Sequence, residues 1–268
     1  MMRSNSLPMY DFPEVQTSTK AILDALSDAF TKLVDASQTA FPESSIHVDL
    51  MRMWKDEATF FSQSCGLPFV EDLHDYVDIV ATLKWTAISD DRGWYRTVIV
   101  AREELGVASL SEVGGLQPVI TNQQSLSGWC SLGVALSDAG LDASYVLPYV
   151  ESEGHAKSLQ FLQDKRADFA SIDPGTFQLL QRHRPALTNG LRVIGNGPHV
   201  PATPLHVSKV RTATFEAYRA ATLEIFSRPE LANARAEIGI DGAVAIGASD
   251  YSLIPGLVAR ANAVLPRR

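Results

Sequence analysis

Three stretches of the chain place small hydroxyl residues and glycine between an apolar run and the first residues of a helical pattern. They are Ser62-Gln63-Ser64-Cys65-Gly66, Ser125-Leu126-Ser127-Gly128 and Ser152-Glu153-Gly154-His155. A helix start carries unpaired N–H groups and about half a positive charge. Seryl hydroxyls beside it add donors, and glycine lets an anion approach the backbone. Any one of these serines serves equally well as a plain helix cap. Three loops of one design in one chain favour the binding of a tetrahedral oxyanion without a metal. Gln63 and Gly128 lie inside these loops, and His155 opens a helical pattern where it can donate to an anion. Asp173 follows an apolar run and precedes Pro174, so it reads either as an N-cap or as a carboxylate facing a ligand cation. Tyr10 and Tyr95, at a strand end and in a loop, offer packing, or a ring and hydroxyl to a pocket.

Other chemistries are less well supplied. Ser127, His155 and Asp173 contain the residue types of a hydrolytic triad, but the G-x-S-x-G elbow is absent because Ser125 stands where its first glycine belongs. No GxxxxGK phosphate loop is present, so the chain is not an ATPase of that type. Gly195-Asn196-Gly197-Pro198 is no dinucleotide fingerprint, since proline follows the second glycine. His183, His199 and His206 lack helical metal-ligand spacing. Neither a metal nor a cofactor is expected. The two cysteines, Cys65 and Cys130, sit in no CxxC pair and read as buried thiols. Arg92 and Arg96 read as surface charges rather than ligand clamps, and Trp85 and Trp94 as core or cleft walls in equal measure.

The elements that must position these residues alternate short apolar runs with amphipathic segments. Ser6–Tyr10 reads as a first strand, with Asp11, Pro13 and Glu14 as the start of a helix over 13–35 whose apolar residues are Ile22, Leu26, Phe30 and Leu33. Strands are expected at Ile46–Leu50, Thr59–Gln63, Val77–Leu83, Thr97–Ala101, Pro118–Thr121, Asp168–Ile172 and Leu191–Ile194. Helices are expected from a Ser127 cap, from Gly154-His155 and from Asp173-Pro174. The glycines and prolines of Gly195–Pro204 read as a linker, after which the chain becomes mainly helical. The order suggests βα units and mostly parallel sheets. Breaks near 95 and 200 suggest an α/β protein of two lobes, 1–95 with 200–268 and then 96–199, joined by two crossings around a cleft.

Composition narrows the class. The 268 residues are 46% hydrophobic and 20% charged, with a net charge of −8. That excludes a disordered chain and a nucleic-acid binder that grips phosphates by bulk positive charge. No apolar run is long enough to span a membrane. At the N-terminus only Arg3 precedes a segment too short and too polar for a secretory leader, so the sequence reads as mature from its start, and either the protein is cytosolic or a leader is missing from the given sequence.

The same residues carry a resemblance. Leu7-Pro8-Met9-Tyr10-Asp11-Phe12-Pro13-Glu14-Val15 resembles the opening of the PhnD-like group of phosphate/phosphonate ABC-transporter substrate-binding proteins. Ser62–Pro68 resembles that group's SQTCGYP stretch, Tyr95-Arg96 its YRS element, and Ser125–Gly128 its SxSG turn. Gly154–Leu159 resembles GSHxASL, and Arg166–Asp173 resembles GRADxAAID. The motifs occur in order from 7 to 207.

The resemblance implies a type 2 periplasmic-binding-protein fold of two α/β lobes closing on a ligand in a cleft between them. It implies a small anionic or zwitterionic ligand, an ABC-transporter permease as partner, and a periplasmic location. It places Ser125, Ser127 and His155 on the oxyanion, Tyr10 and Tyr95 at the cleft and Asp173 near a ligand amine. Two features depart from the group. Ser89–Trp94 lacks the cysteine and glycines that precede YRS. Glu153 is an acidic residue beside the anion site, where it repels a phosphonate unless it points away. Without an export signal, the alternative is a cytoplasmic protein of this fold recruited as a ligand sensor or as an enzyme on a small metabolite.

Overall fold

The computed structural model describes residues 4–33, 49–209 and 213–268, and the chain divides into two compact units. The first comprises Met1–Trp94 and Pro201–Ser252; the second comprises Tyr95–Val200 and Leu253–Arg268. Elements are numbered along the chain.

In the first unit the sheet order is β1 (Ser4–Asn5), β2 (Thr59–Gln63), β9 (Pro204–Ser208), β3 (Val77–Trp85) and β10 (Ile240–Val244). β1 and β2 are parallel, whereas β9 runs antiparallel to β2 and β3, and β10 antiparallel to β3. Its helices are α1 (Gln16–Thr31), α2 (Leu50–Lys55), the single turn α3 (Gly66–Pro68), α7 (Phe215–Ser227) and α8 (Ala232–Ile238). The apolar stripe of α1 buries Ile22, Leu26 and Phe30 completely or nearly so. Phe30 meets Phe60 and Phe61 of β2 and Tyr218 of α7 at ring-centroid distances of 5.7, 5.4 and 5.5 Å. This aromatic cluster joins helix layer to sheet, and each such ring contributes about 1.5–3 kcal/mol by leaving water.

In the second unit the order is β6 (Val150–Glu151), β5 (Pro118–Ile120), β7 (Phe169–Ile172), β4 (Trp94–Arg102) and β8 (Leu191–Pro201). β6, β5 and β7 are mutually parallel neighbours, and β4 runs antiparallel to β7. The helices are α4 (Ser131–Asp138), α5 (His155–Gln163), α6 (Pro174–His183) and α9 (Ile254–Val264). Each of β5, β6 and β7 leads into a helix, so α4, α5 and α6 all start beyond the same, C-terminal end of the three parallel strands.

The α/β class with two helix-flanked sheets holds. Several details differ from the sequence reading. The sheets are mixed rather than mostly parallel, because strand direction depends on which distant segment supplies the neighbour, and periodicity carries no record of that. Ser6–Tyr10 is not a strand; pairing stops at Asn5, and Pro8–Tyr10 forms a 3-10 turn. Asp11 and Glu14 form no capping box: Phe12 precedes a 3-10 turn at Pro13–Val15 with no side-chain cap. The 34–35 end of the expected first helix and the Ile46–Val48 part of the expected strand lie outside the described residues. Asp49 caps and Leu50 opens α2.

Gly195–Pro204 is not a linker but the end of β8 and the start of β9. Its glycines serve contact rather than flexibility: a Cβ at Gly195 meets Leu110 Cδ1 at 2.7 Å and one at Gly197 meets Thr97 Oγ1 at 2.2 Å. The C-terminal third is not all helical, since β9 and β10 complete the first sheet. The expected assignment of 200–268 to one lobe also fails beyond Ser252, and the chain passes between units three times, not twice. Close packing explains it: a Cβ on Gly133 of α4 meets the Ala261 backbone of α9 at 2.8–2.9 Å, so the two helices touch through glycine and alanine.

Candidate functional site

The second unit gathers most of the expected site residues at the common helix-start end of its parallel strands. β5 ends at Ile120, and Thr121–Gln124 lead to Ser125. Ser125, not Ser127, is the cap: its Oγ accepts a hydrogen bond from Gly128 N–H at 2.9 Å. Its carbonyl accepts from Trp129 N–H at 3.2 Å and Cys130 N–H at 3.0 Å. Leu126–Cys130 is thereby wound as one π-helical turn that continues into α4. Such turns are rare and recur at functional sites. Gly128 is required here, because a Cβ would lie 2.2 Å from Thr121 Oγ1 and 3.0 Å from Thr121 Cβ. Thr121, which sequence reasoning missed as a site residue, is the floor under the turn; only its place at the end of an expected strand hinted at it.

Ser127 is the second residue of the turn and is partly exposed. Its Oγ lies 2.8 Å from Nε2 of His155, the first residue of α5. The serine–histidine contact thus joins the starts of two helices. His155 Nδ1 is buried and has no hydrogen-bond partner among the described residues. Burial pushes the imidazole below its ordinary value, and the Asp173 carboxylate partly opposes the shift. Beside it Ser152 is not a ligand-facing cap but a tie: its Oγ bonds Ile120 O at 3.1 Å and Ser158 Oγ at 2.7 Å. Glu153 adopts a left-handed φ of 67°, and its N–H donates to Thr121 O at 2.6 Å. The Glu153 carboxylate is 79% exposed and pairs with Lys157 Nζ at 3.0 Å, so the acidic residue beside the expected anion site points to solvent.

Asp173 is 4% exposed and closes β7. One oxygen accepts from Thr176 N–H at 2.8 Å, capping α6; the other accepts from Tyr95 O–H at 2.7 Å. The antiparallel pairing of β4 with β7 brings these residues together, since the first residues of β4 lie at the end where β7 finishes. Arg96 is exposed and donates to Gly197 O at 3.1 Å.

The first unit holds Tyr10 and Gln63. Tyr10 packs edge-on against Trp85 with centroids 4.4 Å apart, and Trp85 is fully buried in the core. Gln63 ends β2, fully buried, and its Nε2 donates to Thr203 Oγ1 at 2.9 Å. Thr203 Oγ1 in turn donates to Tyr10 O–H at 3.5 Å, a weak contact. Gln63 Oε1 and Ser64 Oγ are buried without partners among the described residues. Thr203 had no sequence signal, as it lies in the stretch that reads as a linker. Arg92 stacks on Trp94 at 4.6 Å and pairs with Asp90, so it is no free clamp. Cys65 and Cys130 are both buried and are not joined in a disulfide. Among the described residues no cluster of His, Cys, Asp and Glu has metal-site geometry, and no helix is long and apolar enough to cross a membrane.

A family model for the periplasmic substrate-binding proteins of phosphonate ABC transporters matches residues 7–251. The chain belongs to this phosphonate-binding family. No match is found among curated proteins. Of solved structures, PhnD1 from Prochlorococcus marinus (MIT 9301) in complex with methylphosphonate aligns with a TM-score of 0.76 at 12% identity, covering 98% of each chain. A binding-protein component of an ABC phosphonate transporter from Pseudomonas aeruginosa aligns at 0.73 and 13% identity, over 97% of this chain and 87% of that one. A Xanthomonas citri protein bound to chloride aligns at 0.73 and 12% identity, over 97% of both chains. At such identities these likenesses show the fold. Membership of the phosphonate-binding family makes the chain a substrate-binding transport protein in kind, rather than an enzyme.

Proposed function

We propose that this phosphonate-binding family member captures a small phosphonate or related oxyanion at the helix starts of its second unit and delivers it to an ABC-transporter permease. The observation that carries the reading is the Ser127–His155 contact, 2.8 Å across, which couples the π-turn opening α4 to the start of α5. Two helix starts direct positive dipole ends and N–H groups to one place, and Ser125, Ser127 and the His155 imidazole add polar groups there. Gly128 keeps the turn free of a side chain. Tyr95 and Asp173 act beside it as a bonded pair, with the carboxylate spent on the α6 cap and the tyrosine rather than on a ligand amine. In the first unit, Gln63 with its buried, unpartnered Oε1 and Tyr10 are the further candidates for ligand contact.

The test is a calorimetric and thermal-shift panel of methylphosphonate, aminoalkylphosphonates, phosphate, sulfonates and carboxylates. A ligand at 100 times its Kd stabilises the protein by about 2.7 kcal/mol, a rise of roughly 5 °C in Tm. The expected result is a phosphonate or phosphate response that Ser125→Ala with Ser127→Ala abolishes. Unchanged affinity in that double variant removes the site assignment. A flat response to every oxyanion removes the ligand class.

A further inference from the structure

We propose that His155 carries its proton on Nε2 and donates it to Ser127 Oγ, which leaves the Ser127 proton for the ligand and makes the site read an unprotonated oxyanion oxygen. The inference rests on the oxyanion-site reading above and adds to it the direction of the serine–histidine hydrogen bond, and with it the group that Ser127 offers the ligand.

The argument starts from the two ring nitrogens. Nε2 lies 2.8 Å from Ser127 Oγ, and Nδ1 is buried with no partner. A neutral imidazole has one N–H and one bare lone pair. If the proton sits on Nδ1, a buried N–H has no acceptor, and orphaned buried donors are rarer than under-used acceptors. Nε2 then also consumes the Ser127 proton, and the serine offers the ligand only lone pairs. If the proton sits on Nε2, the bare atom is Nδ1, and Ser127 Oγ accepts from histidine and donates onward in a chain of aligned hydrogen bonds.

Two influences favour the neutral ring. Burial lowers its proton affinity, and its place as the first residue of α5 sets it at the positive end of a helix. The facing charge is the Asp173 carboxylate of the α6 cap, already bonded to Tyr95 and Thr176. On α5 and its approach, Lys157 and Glu153 are spent on each other at the surface.

An oxygen bearing a proton brings a donor against a donor at Ser127. A singly protonated phosphonate still offers two unprotonated oxygens, so it satisfies the Ser127 donor as the fully ionised form and a sulfonate do. Two measurements test this. The first uses long-range proton–nitrogen NMR on the ligand-free protein, with the His155 signals assigned by their loss in His155→Gln. A proton on Nε2 is expected; a proton on Nδ1 overturns the proposal whatever the protein binds.

The second compares the affinity of the wild type, Ser127→Ala, His155→Gln and His155→Leu for methylphosphonate at about pH 8. A ligand-facing serine proton predicts a loss of about tenfold or more in Ser127→Ala. His155→Gln, which keeps a donor amide towards Ser127, is expected to bind more tightly than His155→Leu, which frees the serine to reorient. Wild-type affinity in Ser127→Ala overturns the ligand half of the proposal. If the wild type does not bind methylphosphonate, the oxyanion-site reading and that half both fall, and the NMR result alone decides the hydrogen-bond half.

Discussion

Ser127 Oγ and His155 Nε2 lie 2.8 Å apart, a serine–histidine contact of the kind that begins acyl-transfer machinery. The third member that would orient the histidine is missing. Nδ1 has no acceptor, and Asp173, the carboxylate that acts on the ring, spends its oxygens on Thr176 and Tyr95. An imidazole held from one side only is a poor general base for serine. A fluorophosphonate probe should therefore leave Ser127 unmodified after hours at neutral pH. An adduct on Ser127 by mass spectrometry would restore the hydrolase reading.

The Tyr95–Asp173 bond should be worth more than its single contact suggests. Both residues are 4% exposed, so Tyr95→Phe leaves a buried carboxylate oxygen short of a charge-assisted donor. A loss of about 1–3 kcal/mol in urea unfolding is expected. Asp173→Ala should cost about 1 kcal/mol more, since it also removes the α6 cap. If Tyr95→Phe unfolds at the wild-type midpoint, the bond does not hold the strand end.

Gly133 and Gly256 make opposite predictions on two helices in contact. A Cβ at Gly133 meets Ala261 backbone atoms at 2.8–2.9 Å, whereas one at Gly256 meets nothing within 4 Å. Backbone cannot swing aside, so Gly133→Ala should destabilise by about 1–3 kcal/mol. Gly256→Ala in α9 should be neutral or stabilising by up to about 1 kcal/mol. Equal effects from the two substitutions would refute the α4–α9 packing.

His206 should make the fold sensitive to acid. It lies 1% exposed in β9, and burial lowers its pKa from 6.5 to about 3. The unfolded chain takes up a proton below about pH 6.5 and the folded protein does not until about pH 3. The stability is thus complete above the higher value and is lost as pH falls between the two, by up to about 1.4 kcal/mol per pH unit. Urea midpoints measured from pH 7 to pH 4 should fall less steeply in His206→Asn than in the wild type. Parallel slopes would show that His206 is not buried neutral.

Local patterns were readable wherever one segment decides its own structure. Thr59–Gln63 is a strand with the bounds read from its apolar run, and Asp173-Pro174 starts α6 as an N-cap followed by proline. The helix phase of Ile22, Leu26 and Phe30 predicted the buried face of α1. The failures share a cause. Gly195–Pro204 reads as a linker because glycine and proline usually punctuate, yet here the glycines admit Leu110 and Thr97, which are remote in sequence. Likewise the choice of Ser125 over Ser127 as cap depends on the π-turn, which depends on Thr121 beneath Gly128.

For the candidate site, the sequence by itself determined the residue types: hydroxyls, glycine and histidine at successive helix starts, in the order of the family motifs, with no basic cluster or metal set. Those follow from local chemistry, because caps and turns are made by neighbours in the chain. Only the tertiary structure decided which of them meet. The parallel order β6-β5-β7 puts three helix starts at one end, and antiparallel β4 delivers Tyr95 to Asp173. The Ser127–His155 contact and the bare Nδ1 follow from that arrangement. Pairing between distant strands is set by the packing of whole layers, and no window of sequence contains it.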